Sequence, residues 1–318
     1  MKRLILVSGN SNLELSNCIS KHLSTPLIDP QITHFANGEI YCQISKNIRG
    51  ADVFVIQSVC APQINDNLME LLVIVDALKR ASAASIVVVM PHYGYSRQDR
   101  KVSPRTPITA KLVADIITVA GATRVITMDL HAGQVQGFFN IPFDNIYSAP
   151  VILEYLKKEV IRDLNDLICV SPDAGGMERA RHYAKKLNCD IAMIDKRRIA
   201  PNVAQAMSVV GNVLDKDCLI VDDIIDTAGT TIAAIKTLKQ KGAKKIIICA
   251  THPVFSGKAY ERVIECTDLT QVIVTDTIPL EKKWLSVEKV KVISIGEILA
   301  KAIRYTFEDE SVSSLFNN

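Results

Sequence analysis

The segment richest in chemistry runs from Leu219 to Thr231. An apolar run, Leu219-Ile-Val221, leads into two adjacent carboxylates, Asp222 and Asp223, and then into Asp226-Thr-Ala-Gly-Thr-Thr231. The run reads as a buried strand, Asp226 to Thr230 as a tight loop, and a helix begins near Thr230. Backbone N–H groups of the loop (Ala228, Gly229), the hydroxyls of Thr227, Thr230 and Thr231, and the positive end of the helix dipole make a cradle for a phosphate. Asp222 and Asp223 would repel that anion, so they suit sugar hydroxyls better. An ordinary strand-to-helix turn capped by Thr is the plainer reading; three acids beside a hydroxyl-rich loop at a strand end weigh against it.

Four further segments carry chemical groups. Tyr93-Gly-Tyr-Ser-Arg-Gln-Asp-Arg-Lys101 continues through Pro104-Arg-Thr-Pro107 and holds four cations, Arg97, Arg100, Lys101 and Arg105, beside Gln98 and Asp99. Arginines grip phosphate oxygens in pairs, so the loop suits a triphosphate, and its place directly after a buried strand favours that over a solvated charge run. Asp129-Leu-His131 ends another strand, and Asp173 follows a third in Ser171-Pro-Asp-Ala-Gly-Gly176. His131 and Asp173 can hold Mg²⁺ directly or through water, although Mg²⁺ prefers oxygen and a lone histidine is more often structural. Asp195-Lys-Arg-Arg198 places three cations before Pro201-Asn202. That pattern fits a lid over a transferring phosphoryl group, and by itself fits a solvated loop equally well. Phe35-Ala-Asn-Gly-Glu39 can stack on and hydrogen-bond an adenine, or be a common turn. There is no G-x-x-x-x-G-K-[ST] and no G-x-G-x-x-G, which disfavours a P-loop kinase and a dinucleotide site.

The elements that must position these groups alternate. Short β-branched runs recur at 4–7, 53–56, 86–89, 125–128, 167–170, 191–194, 219–221, 246–249, 272–274 and 290–295, and helical spacing lies between several of them, as in 68–81, 109–120 and 230–241. Continuous apolar runs suit strands covered on both faces, so the expected class is α/β with mainly parallel sheets flanked by helices. Polar or Gly-rich clusters follow most of the runs, where open α/β sheets bind ligands. The segment 121–131 matches 242–252 in shape, but 82–92 has the same shape too, so duplication is only a modest preference. With 318 residues, 48% of them hydrophobic, two domains are expected, 1–149 and 150–318, with the last residues packing back on the first. A net charge of +3 without charge blocks argues against nucleic acid as a partner. No apolar stretch is long enough for a membrane span, no signal peptide precedes the first strand, and eight singly placed cysteines suit a reducing compartment, so a cytoplasmic protein is expected.

The segment 222–231 resembles the phosphoribosyl-pyrophosphate-binding signature of the type I phosphoribosyltransferase fold, which transferases that consume that compound share with the synthetases that make it. Taken in order with the other four segments, and through Ser311-Val-Ser-Ser-Leu-Phe316, the chain is identified as a member of the class I ribose-phosphate pyrophosphokinases. The resemblance implies two tandem phosphoribosyltransferase-like domains and transfer of pyrophosphate from Mg-ATP to ribose 5-phosphate, releasing AMP. It implies ATP binding by Arg97, Gln98, Asp99 and His131, with Phe35, Asn37, Gly38 and Glu39 donated by a neighbouring subunit. Mg²⁺ would be held at His131 and Asp173, and Lys196 and Arg198 would be catalytic. Ribose 5-phosphate would sit on Arg198, Asp222, Asp223 and Asp226 to Thr231. Homohexamers, with phosphate and ADP as effectors, are implied as well, with Lys101, Arg105, Ser311 and Ser313 as candidates for an allosteric anion site. Val102 and Pro104 depart from the family pattern in the basic loop and bear on regulation. A consuming phosphoribosyltransferase explains 222–231 but neither the 97–105 loop nor Lys196; a non-catalytic associated subunit should have lost segments that are intact here.

Overall fold

Strands form where Val and Ile runs can be covered on both faces, and the computed structural model follows that rule in two compact units. It describes residues 2–161, 166–197 and 206–316, with the side chains of residues 196, 197 and 206 left out. One unit comprises Met1–Tyr147, Thr277–Pro279 and Ser294–Asn318; the other comprises Ser148–Asp276 and Leu280–Ile293.

The first unit runs β1 (Leu4–Ser8), α1 (Leu13–Leu23), β2 (Leu27–Ile28), β3 (Gln31–His34), β4 (Ile40–Gln43), β5 (Asp52–Ile56), α2 (Ile64–Arg80), β6 (Ser85–Met90), α3 (Thr109–Ala120), β7 (Arg124–Met128) and β8 (Phe143–Ile146). Six strands form a parallel sheet in the order β2-β1-β5-β6-β7-β8, while β3 and β4 make a separate antiparallel hairpin. Leu71, Ile74, Val75 and Leu78 of α2 and Val113 and Ile117 of α3 recur at helical spacing and bury one face each on Val53, Val55 and Val88. The start of α1 is fixed by Asn12, whose side chain accepts a hydrogen bond from the Leu15 N–H.

The second unit runs α4 (Ala149–Tyr155), β9 (Leu167–Ser171), α5 (Met177–Leu187), β10 (Asp190–Arg197), β11 (Ala206–Val210), β12 (Asp217–Ile225), α6 (Gly229–Gln240), β13 (Ile246–Pro253), α7 (Ala259–Glu265), β14 (Gln271–Thr275), α8 (Lys282–Leu285) and β15 (Val290–Ile293). Its sheet order is β11-β10-β9-β12-β13-β14-β15, parallel except for β11. Alternation divides the buried residues into two layers: Ile220, Ile248 and Val274 meet Leu238 and Trp284, and Leu219, Cys249 and Ile273 meet Leu156 and Tyr183. Residues 294–318 return to the first unit, where α9 (Gly296–Phe307) packs on α1. A glycine is needed at 296, since a Cβ there would lie 2.5 Å from the Cys18 sulfur.

Every apolar run expected as a strand is one, and the α/β class with mainly parallel sheets holds. Several boundaries shift, and the one that bears on the candidate site is the end of β12. β12 does not stop at Val221 but continues to Ile225, because β13 runs on beside it and pairs Asp222 with Ala250 and Ile224 with His252. No helix among the described residues is long and apolar enough to cross a membrane.

Candidate active site

The extension of β12 decides how the two carboxylates are presented. Pairing with β9 stops at Ile220 opposite Val170, so Asp222 and Asp223 project past the end of β9 while still held by β13. Asp223 is buried, and Asp222 is 26% exposed. The Asp222 Oδ1 accepts the Asp223 N–H at 2.9 Å, and Arg179 of α5 reaches both carboxylates, at 3.7 Å from Asp222 and 3.2 Å from Asp223. Burial, and then the neighbouring Asp223, push the Asp222 carboxyl up to about 8 despite Arg179. The pair therefore carries less than two negative charges at neutral pH, and a cation or a sugar diol would relieve it.

Beyond β12 the turn is braced from behind. Ala228 takes a left-handed conformation (φ 58°) and opens α6, and the Ile232 N–H donates to its carbonyl at 2.9 Å. Ser256 donates to Asp226, and Arg262 of α7 donates to the Thr227 carbonyl at 2.7 Å. Thr227 and Thr230 are exposed and Thr231 half-buried, while Ala228 is buried, so the hydroxyls and the first N–H groups of α6 face outward from a fixed support. A phosphate meets donors there without reorganising the turn. In the same unit, Asp173 is exposed after β9; its Oδ1 accepts the Gly176 N–H at 3.0 Å, which sets the loop that leads into α5 and Arg179.

The basic loop belongs to the first unit. It is fixed near its ends: Thr109 donates to the Gln98 side chain at 2.6 Å, and Gln134 donates to Asp99 at 2.7 Å. Arg97, Arg100, Lys101, Val102 and Arg105 are exposed. The Asp99–Gln134 bond brings this loop to the segment that follows β7, where His131 is exposed and Asp129 is held at φ 40° with its N–H on the Ile146 carbonyl at 2.8 Å. Phe35 to Glu39 form the tip of the β3–β4 hairpin. The Phe35 N–H donates to the Glu39 carbonyl at 2.9 Å, and Gly38 sits at φ 91° with open space on the side where a Cβ would stand. Phe35 is 56% exposed, so its ring offers a free face. Ser311 and Ser313 hydrogen-bond each other at 2.7 Å in the exposed C-terminal segment of the same unit.

Thus the structure gathers Asp173, Asp222, Asp223 and 226–231 in the second unit, and Arg97, Gln98, Asp99, His131 and the 35–39 tip in the first. His131 and Asp173 fall in different units. Lys196 lies on β10, opposite Met207 of β11, with its side chain outside the description, and Arg198 lies outside the described residues. Among the described residues no three or more His, Cys, Asp or Glu cluster as a metal-binding group.

Two family models match the chain: residues 4–121 fit the N-terminal domain of ribose phosphate pyrophosphokinase, and residues 196–317 fit a phosphoribosyl synthetase-associated domain. A ribose-phosphate pyrophosphokinase of Haemophilus influenzae is 51% identical over 320 residues, covering 100% of both chains, and one of Campylobacter jejuni is 50% identical over 99% of this chain and 100% of its own. The chain belongs to the ribose-phosphate pyrophosphokinase family. The crystal structure of the phosphoribosylpyrophosphate synthetase from Mycobacterium smegmatis superposes with a TM-score of 0.91 at 40% identity, over 97% of this chain and 100% of that one.

Three groups that support these loops and carboxylates were not visible as motifs. Arg262 and Gln134 reach their loops from helical segments 35 residues away in sequence, and Arg179 crosses from α5 to β12. The polar segment Ser8-Gly9-Asn10 after β1 is structural: buried Glu70 of α2 accepts from the Asn10 N–H at 2.6 Å and from Gln57 at 2.8 Å, which fills the space beside Gly9.

Proposed function

We propose that this chain transfers the pyrophosphoryl group of Mg-ATP to the C1 hydroxyl of ribose 5-phosphate, giving 5-phosphoribosyl 1-pyrophosphate and AMP for nucleotide biosynthesis. The observation that carries the reading is the braced turn at the head of α6, with exposed Thr227 and Thr230 beside the Asp222–Asp223 pair. Phosphate donors next to hydroxyl acceptors match a sugar phosphate. The terminal phosphate of ribose 5-phosphate takes Asp226 to Thr231, and its ring hydroxyls take Asp222 and Asp223.

ATP is held by Arg97, Gln98, Asp99 and His131, and the exposed tip of Phe35, Asn37, Gly38 and Glu39 serves the adenine of a neighbouring subunit in a homohexamer. Mg²⁺ fits the donor chemistry: Asp173 is an exposed carboxylate, and Mg²⁺ is usually bound by one or two carboxylates together with substrate phosphates and water. Asp173 and His131, directly or through water, would hold it, and when bound it would neutralise phosphate charge. The residues do the rest by placement and charge. The turn fixes the far end of the sugar so that its C1 hydroxyl is aimed at the β-phosphorus, and Lys196 and Arg198 offset charge that builds on the transferring oxygens. Phosphate and ADP act as effectors at a site drawn from Lys101, Arg105, Ser311 and Ser313, and the protein works in the cytoplasm.

The test is AMP release from ATP and Mg²⁺ with and without ribose 5-phosphate. Release that depends on the sugar phosphate is expected. Silence in both arms would overturn the reading.

A further inference from the structure

Away from the turn and its carboxylates, the second unit holds two thiols in contact. Cys169 lies inside β9, and Cys189 in the turn that joins α5 to β10. Parallel pairing of β9 with β10 brings the turn beside β9 and sets the two sulfurs 3.6 Å apart. The backbone fixes that approach: Asn188 is left-handed at φ 52°, and the Cys189 N–H donates to the Ala184 carbonyl at 3.0 Å.

The surroundings of the two sulfurs differ. Cys169 is fully buried, whereas Cys189 is half-buried and lines an open cavity of about 370 Å³ with Lys185, Asn188 and Lys216. An attacking molecule can therefore reach Cys189 and not Cys169. A hydrogen bond from Cys169, helped by Lys216 and opposed by burial and Asp190, holds the Cys189 thiol below its ordinary value. The same hydrogen bond, together with burial, holds Cys169 well above it. Burial also pushes Cys60 and Cys218 up to about 12 and Cys42 up to about 11, so these thiols are poor nucleophiles.

We propose that Cys189 is a site of oxidation by hydrogen peroxide and that Cys169 resolves it into an intrachain disulfide. The Cys189 thiolate attacks one peroxide oxygen; the O–O bond breaks, a sulfenic acid forms, and the other oxygen leaves as hydroxide, which takes up a proton to become water. The Cys169 sulfur then attacks the Cys189 sulfur, the S–O bond breaks, and a second water leaves with the Cys169 proton. Two thiols are oxidised and one peroxide is reduced by two electrons. The sulfurs need only close from 3.6 Å to the disulfide distance of about 2.0 Å. The link would tie together the two ends of a segment, 20 residues from Cys169 to Cys189, that carries Asp173 and Arg179.

The full-length reduced protein is treated with hydrogen peroxide, with and without dimedone, and mapped by non-reducing peptide mass spectrometry. In the wild type a Cys169–Cys189 cross-link is expected, lighter than its two peptides by two hydrogens and lost on adding dithiothreitol. In Cys169→Ser, whose hydroxyl can still donate to the Cys189 sulfur, dimedone should mark Cys189 about tenfold over any other cysteine; in Cys189→Ser both products should vanish. A wild-type map without that cross-link overturns the proposal, whatever the folding of the variants, and so does dimedone on other cysteines in place of Cys189 in Cys169→Ser.

Discussion

Two loops proposed to bind phosphates leave the carboxyl ends of buried strands, one in each unit, and they are held in different ways. The turn after β12 is supported along its whole length by Ser256, Arg262 and the buried Ala228. The loop after β6 is tied near its ends by Gln98–Thr109 and Asp99–Gln134, and its cations from Arg100 to Arg105 stand in solvent. A rigid cradle suits a group of constant shape, the terminal phosphate of a sugar, because no ordering entropy is lost when it binds. An exposed row of long side chains suits a flexible polyphosphate, whose grip forms on binding and whose affinity must offset the ordering of those side chains.

The largest expected effect tests the second half of that contrast. Charge-assisted hydrogen bonds contribute about 1.5–3 kcal/mol each, so Arg97→Ala should raise KM for ATP about 10- to 100-fold. Because Arg97 is exposed, the melting temperature should stay put. A rise in KM for ribose 5-phosphate instead would reverse the assignment of the two loops.

The carboxylate pair gives the next effect, on stability. The folded chain holds the Asp222 proton up to about 8, while the ordinary value is 3.8. Between those values the folded state binds more protons than the unfolded state, so stability falls as pH rises; the cost is absent below the ordinary value and complete above about 8. Asp222→Asn never ionises and should therefore stabilise the protein by about 1–3 kcal/mol in alkaline buffer, with the gain closing toward pH ~4. Thermal melts across that range check it, and a gain that grows on acidification would show that Asp222 is stabilised as an anion.

Arg262→Ala addresses the brace itself. Loss of one hydrogen bond, about 1 kcal/mol, should raise KM for ribose 5-phosphate about fivefold and leave KM for ATP unchanged. Amide hydrogen exchange at 227–231 should quicken in parallel. Unaltered exchange would mean that the turn holds its shape without α7.

How far each loop was legible follows from where its supports lie in the chain. Asp222 to Thr231 could be read because strand, turn and helix are contiguous, and local chemistry dictates all three. The continuation of β12 to Ile225 could not, since it depends on β13 pairing alongside. Arg262, Gln134 and Arg179 act through tertiary packing, and as single polar residues on helices they carry no local pattern. The β3–β4 hairpin escaped for a different reason: its strands are half-exposed and short, without the continuous apolar run that marked the sheet strands.

The smallest effect concerns Ala228, a residue with a Cβ in the left-handed region at φ 58°. Relief of that strain in Ala228→Gly is worth about 1 kcal/mol. Against it stand the extra entropy of a glycine in the unfolded chain, about 0.4–1 kcal/mol, and the loss of a buried methyl, about 0.8 kcal/mol. The terms nearly cancel, so the melting temperature should fall by no more than a few degrees. The informative reading is KM for ribose 5-phosphate. If Ser256 and Arg262 hold the turn, it stays unchanged in Ala228→Gly; if it rises, the methyl is itself part of the support, and the rigidity of this loop depends on a single small side chain that neither tether of the basic loop resembles.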